Sequence, residues 1–356
     1  MTKSIFWFSF AFIFYVYIGY PALLWVLRGI RRQPICKGHW EPTVTLLIAA
    51  HNERENIEAK ITNCLKLDYP QNKLQIVISL DGPIDGTDLV VQQYCGKGIE
   101  MLHSPIHRGK AAALNCGIEK ATGEIVVFGD ARQQFDPRAV QELVGNFQDS
   151  RVGAVTGELV LLDENSKEAC DGAGLYWRYE KRLRAMESDI HSMVGATGAI
   201  YAIRRELFEP LPDDTLLDDV MVPMRIVLAG RRAVFDPAAR AYDRASSTPE
   251  VEFRRKVRTL AGNYQLMARI PELLVPFRNP VFWQFVSHKA GRLLVPYFLA
   301  ALFLSNLFLT EGIYLVFLIL QVAWYLMAVA GGLLVRDGKR GAAFASSELR
   351  GREKAA

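Results

Sequence analysis

The chain alternates between two kinds of pattern: long apolar stretches near its ends, and short apolar runs separated by amphipathic segments between them. Residues 5–27 are uncharged and aromatic-rich. They exceed the roughly 20 apolar residues a membrane span needs and the roughly 7–15 of a signal-peptide core, and no small-residue cleavage site follows. Residues 293–310 and 313–335 form a second apolar block, broken only by Thr310-Glu311-Gly312. Three membrane helices are expected; a signal peptide at the front and a buried helical hairpin at the back are the competing readings. Between these ends, runs at 44–50, 74–80, 125–128 and 152–156 read as buried strands. Helical segments at 54–67, 86–94 and 110–120 separate the first three. Strands alternating with helices predict an α/β fold with a doubly wound, mostly parallel sheet, in which ligands bind at the carboxyl ends of strands.

The flanking charges orient the spans. Arg28, Arg31, Arg32 and Lys37 follow the first; Lys289 and Arg292 precede the second; Arg336, Lys339 and Arg340 follow the third. The positive-inside rule then places the middle of the chain in the cytoplasm. The expected organisation is a membrane helix over 1–28, a cytoplasmic catalytic domain over 40–248, interfacial helices over 249–290, two membrane helices over 291–336, and a small, polar, disordered tail over 337–356. The expected setting is a bacterial inner membrane. Phe253, Val257, Leu260, Tyr264 and Met267 recur at helical spacing, with Arg254, Arg255, Lys256 and Arg258 mainly off that face. That is the pattern of a helix lying on a membrane surface.

Composition narrows the chemistry. Across 356 residues the net charge is only +4, too weak a basic excess for a nucleic-acid binder. The five cysteines are scattered, which fits incidental thiols in a reducing compartment. The six histidines make no ligand pattern for zinc. No G-x-G-x-x-G follows a strand and no G-x-x-x-x-G-K-[ST] occurs, which argues against dinucleotide oxidoreductases and P-loop NTPases.

Polar residues gather where the strands end: Ala50-His51-Asn52-Glu53, Asp81-Gly82-Pro83-Ile84-Asp85-Gly86-Thr87, His107-Arg108-Gly109-Lys110, and Gly129-Asp130-Ala131-Arg132. Singly, each has a plain explanation: Asn52 and Asp85 as helix caps, the glycines as turns, Arg108 and Lys110 as a solvated face. Jointly they describe a pocket of carboxylates and cations suited to a nucleotide diphosphate. Further on, Gly195-Ala196-Thr197-Gly198-Ala199 precedes a short strand, and Leu217-Asp218-Asp219 opens an apolar run.

These motifs resemble those of the family-2 glycosyltransferases, in particular the membrane-bound branch that includes cellulose, chitin and hyaluronan synthases and bacterial exopolysaccharide enzymes. The resemblance covers 44–258, and implies a GT-A-like fold and inverting transfer of a sugar from a nucleotide-sugar, expected to be a UDP-sugar. The acceptor would be lipid-linked or a growing polysaccharide at the membrane. Ala50, Asn52 and Glu53 resemble the P-x-x-N-E opening, with Ala49 near the place of the proline. Asp81 resembles the uracil-recognising aspartate, and Lys110 the lysine of G-K-x-x-A-L-N. Asp130 resembles the first aspartate of D-x-D, implying Mg²⁺ or Mn²⁺. Gly195, Thr197 and Gly198 resemble the acceptor-side segment, and Asp218-Asp219 the E-D pair whose last aspartate is the catalytic base. Arg258 matches the arginine of Q-x-x-R-W, whereas Arg255 and Thr259 replace the glutamine and tryptophan. Arg132 stands where D-x-D has its second carboxylate; either Asp130 holds a metal alone with the diphosphate, or Arg132 supplies the charge itself. The competing functional reading is a non-catalytic glycan- or nucleotide-binding scaffold subunit of a membrane polysaccharide complex.

Overall fold

The computed structural model describes residues 1–162, 174–244, 249–309 and 311–332. The chain divides into two units, Gly19–Leu293 and a second made of Met1–Ile18 with Leu294–Ala356.

Gly19–Leu293 is built on an eight-stranded sheet, β1 (Val44–Ala50), β2 (Leu74–Asp81), β3 (Ile99–Ser104), β4 (Ile125–Asp130), β5 (Gln134–Phe135), β6 (Val152–Leu162), β7 (Ile200–Arg204) and β8 (Arg232–Arg244), in the order β3-β2-β1-β4-β7-β6-β8-β5. The first four in that order run parallel. β1 is Val-Thr-Leu-Leu-Ile-Ala-Ala and buried on both faces, as a central parallel strand covered by helices must be. Helices Arg54–Leu65, Thr87–Gln92 and Lys110–Lys120 make the connections. β3 is absent from the sequence expectation because Ile-Glu-Met-Leu-His-Ser has no apolar run, although Gly96 and Gly98 mark a turn before it; it is an edge strand with Glu100 and His103 exposed.

Beyond β4 the sheet becomes mixed. β7 pairs antiparallel with β4 and β6, and β8 pairs parallel with β6 through two register shifts. β6 extends to Leu162, six residues past the expected end at 156. The reversal of β7 matters for the site. Its first residue, Ile200, sits opposite Gly129, so the Gly195–Ala199 segment preceding it emerges at the same sheet edge as the carboxyl end of β4.

In the other unit, Phe12 stacks on Phe298 at 4.0 Å, and Phe6 meets Tyr314 and Phe317 edge-on at 5.1 and 5.6 Å. Among the described residues, two helices are long and apolar enough to cross a membrane, Thr2–Arg31 and Ile313–Gly332. The first opens into a π turn at Tyr15–Gly19, just before Pro21, whose ring nitrogen carries no N–H for the helix ladder. The expected span over 293–310 is a 16-residue helix, Gly291–Asn306. At 1.5 Å per residue it measures about 24 Å, less than the roughly 30 Å of a hydrocarbon core. Thr310, Val335, Arg336, Lys339, Arg340 and the expected tail lie outside the described residues, as does Cys170.

Candidate active site

Two clefts meet across the carboxyl ends of β1, β2 and β4. One, of about 650 Å³, is lined by Ala50, Glu53, Asp81, Lys110, Asp130 and Arg258, with His51 and His107 beside them. The other, of about 930 Å³, is lined by Thr197, Gly198, Asp218, Asp219, Arg184 and Lys289. Lys110, Asp130, Arg132, Gln133, Arg255 and Arg258 border both. For brevity these are the first and second clefts.

The first cleft is held by backbone hydrogen bonds. The Asp81 carboxylate is buried and accepts the Arg108 and Gly109 N–H groups at 2.7 Å each, with His107 Nδ1 at 2.7 Å. The 107–110 loop passes so close that a Cβ on Gly82 would lie 2.4 Å from the His107 nitrogen, and Gly82 has φ +57°, so only glycine suits the position. His51 Nδ1 lies 2.6 Å from the Asp81 carbonyl oxygen, and its Nε2 lies 3.1 Å from Asn52 Nδ2. The two imidazoles stack at 3.9 Å. Sequence spacing could not show this, since the histidines stand on different loops.

Asn52 lines neither cleft. It adopts φ +53°, and its Oδ1 accepts the Ile84 N–H at 2.9 Å, tying two strand-end loops together. Asp85 does what a cap does: its carboxylate accepts the N–H groups of Arg54 and Thr87, each the first residue of a helix, at 3.0 Å. Desolvation, the largest single effect, pushes its pKa up, but the Thr87 hydroxyl and these backbone N–H groups together outweigh it and hold the pKa below the usual carboxylate value.

At the junction, Lys110 Nζ lies 2.9 Å from Asp130 Oδ1 and 3.3 Å from Asp218 Oδ2. Burial would lower the lysine's pKa, but the two carboxylates overcome it and raise it well above normal. Asp218 is buried, and Tyr201 Oη donates to it at 3.4 Å. Asp218 and Asp219 are the first two residues of the helix Asp218–Leu228, where the macrodipole favours negative charge. Asp219 Oδ2 accepts the Gly198 N–H at 3.1 Å, and its carbonyl accepts the Ala196 N–H at 2.8 Å. Burial, and then the Asp218 charge, raise the Asp219 pKa against the opposing pull of Lys110 and Lys289. Gly195 lies under this segment, with φ +145° and its absent Cβ 3.4 Å from Lys289 Nζ.

Three features went unread in the sequence. Arg132 turns to Asp243, with Nη2 to Oδ2 at 2.5 Å, and Gln133 Nε2 joins the same oxygen at 2.8 Å. Lys60 is fully buried behind β4; its Nζ donates to the Gln133 carbonyl at 2.7 Å and lies 3.6 Å from the centre of the Phe135 ring. Burial depresses its pKa. A lysine on the apolar stripe Ile57-Lys60-Ile61-Cys64 was the available signal. The third feature, Arg184 and Lys289, lies on helices whose placement the sequence did not give.

Two ligand sets for a cation can be compared. His51, Asp81 and His107 bring their ligand atoms within 4.8 Å of one another. However, the His51 ring already bonds at both nitrogens and Asp81 accepts two backbone N–H groups. Asp130 sits at the mouth of β4 and, among the described residues, only its Oδ1 accepts a hydrogen bond. A hard carboxylate oxygen there suits Mg²⁺ or Mn²⁺.

This architecture, a mixed and mostly parallel sheet with a diphosphate-sized cleft at its strand ends, is that of the GT-A-like nucleotide-diphospho-sugar transferases. Residues 45–211 match the profile of Glycosyl transferase family 2, so this stretch of the chain carries a family 2 domain. It is 27% identical over 249 residues to the "Probable glycosyltransferase YdaM" of Bacillus subtilis, covering 64% of this chain and 57% of that one. It is also 27% identical over 236 residues to the "Poly-beta-1,6-N-acetyl-D-glucosamine synthase" of Staphylococcus aureus, covering 64% and 56%. The matched part thus spans little more than half the length of these curated relatives. Among solved structures, the mannosyltransferase PcManGT from Pyrobaculum calidifontis, determined with GDP-Man and Mn²⁺, superposes with a TM-score of 0.73 over 92% of each chain at 22% identity. That likeness establishes the fold.

Proposed function

We propose that this chain transfers a sugar, with inversion, from a nucleotide-sugar of the UDP class to a lipid-linked or polysaccharide acceptor at a membrane. The observation that carries the reading is Lys110 Nζ, bound between Asp130 and Asp218 where the two clefts join. The first cleft takes the donor and the second the acceptor, so the reacting centre lies at their boundary. The names of the relatives, a probable glycosyltransferase and a synthase of a β-linked polymer, agree with this assignment.

Asp219 accepts the proton of the acceptor hydroxyl as its oxygen attacks the anomeric carbon. The bond from that carbon to the diphosphate oxygen breaks, and an α-linked donor gives a β-linked product. A raised pKa keeps Asp219 a stronger base than a solvated aspartate. The cationic side chains of Lys110 and Arg258 face the leaving diphosphate and stabilise its charge. Asp130 would hold a divalent cation together with the diphosphate, and that cation would neutralise charge on the leaving group. The pairing of Arg132 with Asp243 weighs against Arg132 standing in for the metal, because that guanidinium already has its counter-charge. Ala50, Glu53 and Asp81 shape the nucleoside end; Thr197 and Gly198 shape the acceptor side.

Two observations support the membrane setting. Helices Thr2–Arg31 and Ile313–Gly332 have the length and apolarity of spans. The helix Pro249–Arg269 leaves Phe253, Val257, Leu260 and Tyr264 exposed while Arg255 and Arg258 face the clefts. Such a helix lies in the bilayer interface with its cations toward the active site. The spans would make the chain an integral inner-membrane protein with its catalytic domain cytoplasmic.

The test is a screen of purified protein against a panel of nucleotide-sugars, reading nucleotide release with and without added membrane lipid. Release from one or a few UDP-sugars, stimulated by lipid and abolished by excess chelator, is expected. Binding of nucleotide-sugar without any turnover across the panel would instead support the scaffold reading.

A further inference from the structure

The second cleft contains more positive charge than the transfer of a sugar to a neutral hydroxyl requires. Several of its cations are accounted for. Lys110 is bound to Asp130 and Asp218, and Arg132 to Asp243; Arg255 and Arg258 border the donor cleft as well. Arg184 and Lys289, also half-buried, differ in two ways: they border the second cleft alone, and among the described residues neither makes a hydrogen bond or ion pair.

Their placement is also costly to the chemistry proposed for the site. Lys289 opposes the rise in the Asp219 pKa, so it weakens the base. Burial, and next the Arg184 charge, pull the Lys289 pKa below its normal value, and the carboxylates of Asp219, Glu180 and Glu187 offset only part of that. A half-buried ammonium beside another cation is unfavourable unless an anion joins them. The surrounding wall supplies a second property. Leu159, Leu161 and Trp177 line the same cleft. Trp177 and Arg184 lie seven residues apart on the helix Gly174–Ile190, two turns along one face. The cleft therefore sets an apolar surface next to an anion site.

From this geometry we infer that Arg184 and Lys289 bind a phosphoryl group carried by the acceptor, next to an apolar wall that takes the hydrocarbon to which it is attached. This rests on the second cleft being the acceptor side, and it specifies what kind of acceptor the cleft admits: a phosphorylated lipid carrier. The guanidinium of Arg184 offers paired donors to phosphate oxygens and Lys289 a point charge.

The test measures binding, so that it does not depend on turnover. Full-length protein in detergent micelles is titrated with a fluorescent prenyl phosphate, with the corresponding uncharged prenol, and with a water-soluble sugar 1-phosphate. UDP is titrated separately. The prenyl phosphate should bind at least tenfold more tightly than the prenol. Arg184→Gln and Lys289→Gln should each weaken prenyl phosphate by tenfold or more, with UDP affinity held within about twofold. Lys289→Arg should restore most of the loss, which separates charge from packing. Competition by the sugar 1-phosphate at equal affinity would assign the phosphoryl site but overturn the lipid source. Equal binding of prenol and prenyl phosphate, or unchanged prenyl phosphate affinity in both variants, would overturn the inference. Should the variants lose UDP and prenyl phosphate alike, the two cations serve the donor and the inference again fails. If no nucleotide-sugar is turned over by the parent but these titrations come out as expected, the transferase reading fails and the anion site stands.

Discussion

The two clefts differ in how their polar groups are satisfied. In the first, the Asp81 carboxylate and the His51 ring are each held by two or more partners, most of them backbone groups. Such a site is rigid before any ligand arrives, and suits a donor whose nucleotide and diphosphate are always the same. In the second, Asp219 accepts one backbone N–H through its carboxylate, and Arg184 and Lys289 make no hydrogen bond or ion pair with the described residues, Lys289 being opposed only at longer range by Asp219, Glu180 and Glu187. Its charges are completed by what binds. On the proposed assignment, preorganisation on one side and incompleteness on the other would place the specificity for the acceptor in cations and apolar walls, and the chemistry in the few residues at the boundary.

The contrast is broken most severely at that boundary. Asp219→Asn keeps the shape and removes the base, so transfer should fall by about 10³-fold or more while UDP affinity changes little. Paired transfer and binding assays check it; transfer within tenfold of the parent would remove Asp219 from its role. Lys110→Met should lower transfer by about 10²–10³-fold, the range for losing one donor to a developing anion, and should weaken UDP as well. The joint loss is what separates a boundary residue from one belonging to the second cleft alone.

pH sharpens the same division. Because the folded pKa of Asp219 is raised, kcat at saturating acceptor should fall with decreasing pH at values above the usual aspartate range. Lys289→Gln removes a charge that favours the carboxylate, so it should move that acid limb to higher pH. A limb that moves down or stays fixed contradicts the electrostatics assigned to the second cleft.

Away from the clefts, Glu180 is held by His288 Nε2 at 3.2 Å and Arg292 Nη1 at 2.5 Å. Burial acts the other way but is overcome, and its pKa falls to about 2. A carboxylate depressed on folding contributes stability that is complete above its unfolded pKa of about 4.3 and is lost as pH drops toward the folded value. Thermal unfolding should therefore shift to lower temperature between roughly pH 4.3 and pH 2, and Glu180→Gln should flatten that part of the curve. The smallest effect expected is at the double cap on the helices Arg54–Leu65 and Thr87–Gln92: Asp85→Ala should cost about 1 kcal/mol of stability per cap bond lost, read by denaturant melts, with transfer reduced only modestly.

The parallel half of the fold was legible because its strands are apolar runs and its connections amphipathic helices. β1 and the helix Lys110–Lys120 match their expected bounds. The mixed half was not. β8 carries Asp236-Pro237 and three arginines within its thirteen residues, a pattern no periodicity rule reads as a strand. The residues grouped at the parallel strand ends, Glu53, Asp81, Lys110 and Asp130, do line one cleft. Position alone misled at Asn52, whose side chain bridges loops, and could say nothing of the His51–His107 stack or of Arg184 and Lys289. Those depend on which loops and helices meet in space, which local pattern does not encode.

The central claim is that one site exists, with the diphosphate at the boundary of the two clefts. It is tested most directly by determining the structure of the protein with UDP and Mn²⁺. The account predicts the diphosphate against Asp130, Lys110 and Arg258, with the uridine beside Asp81 and the two histidines and the second cleft left open toward Asp219. A diphosphate bound instead at Arg184 and Lys289, or a cation held by His51, Asp81 and His107 with Asp130 unengaged, would contradict it.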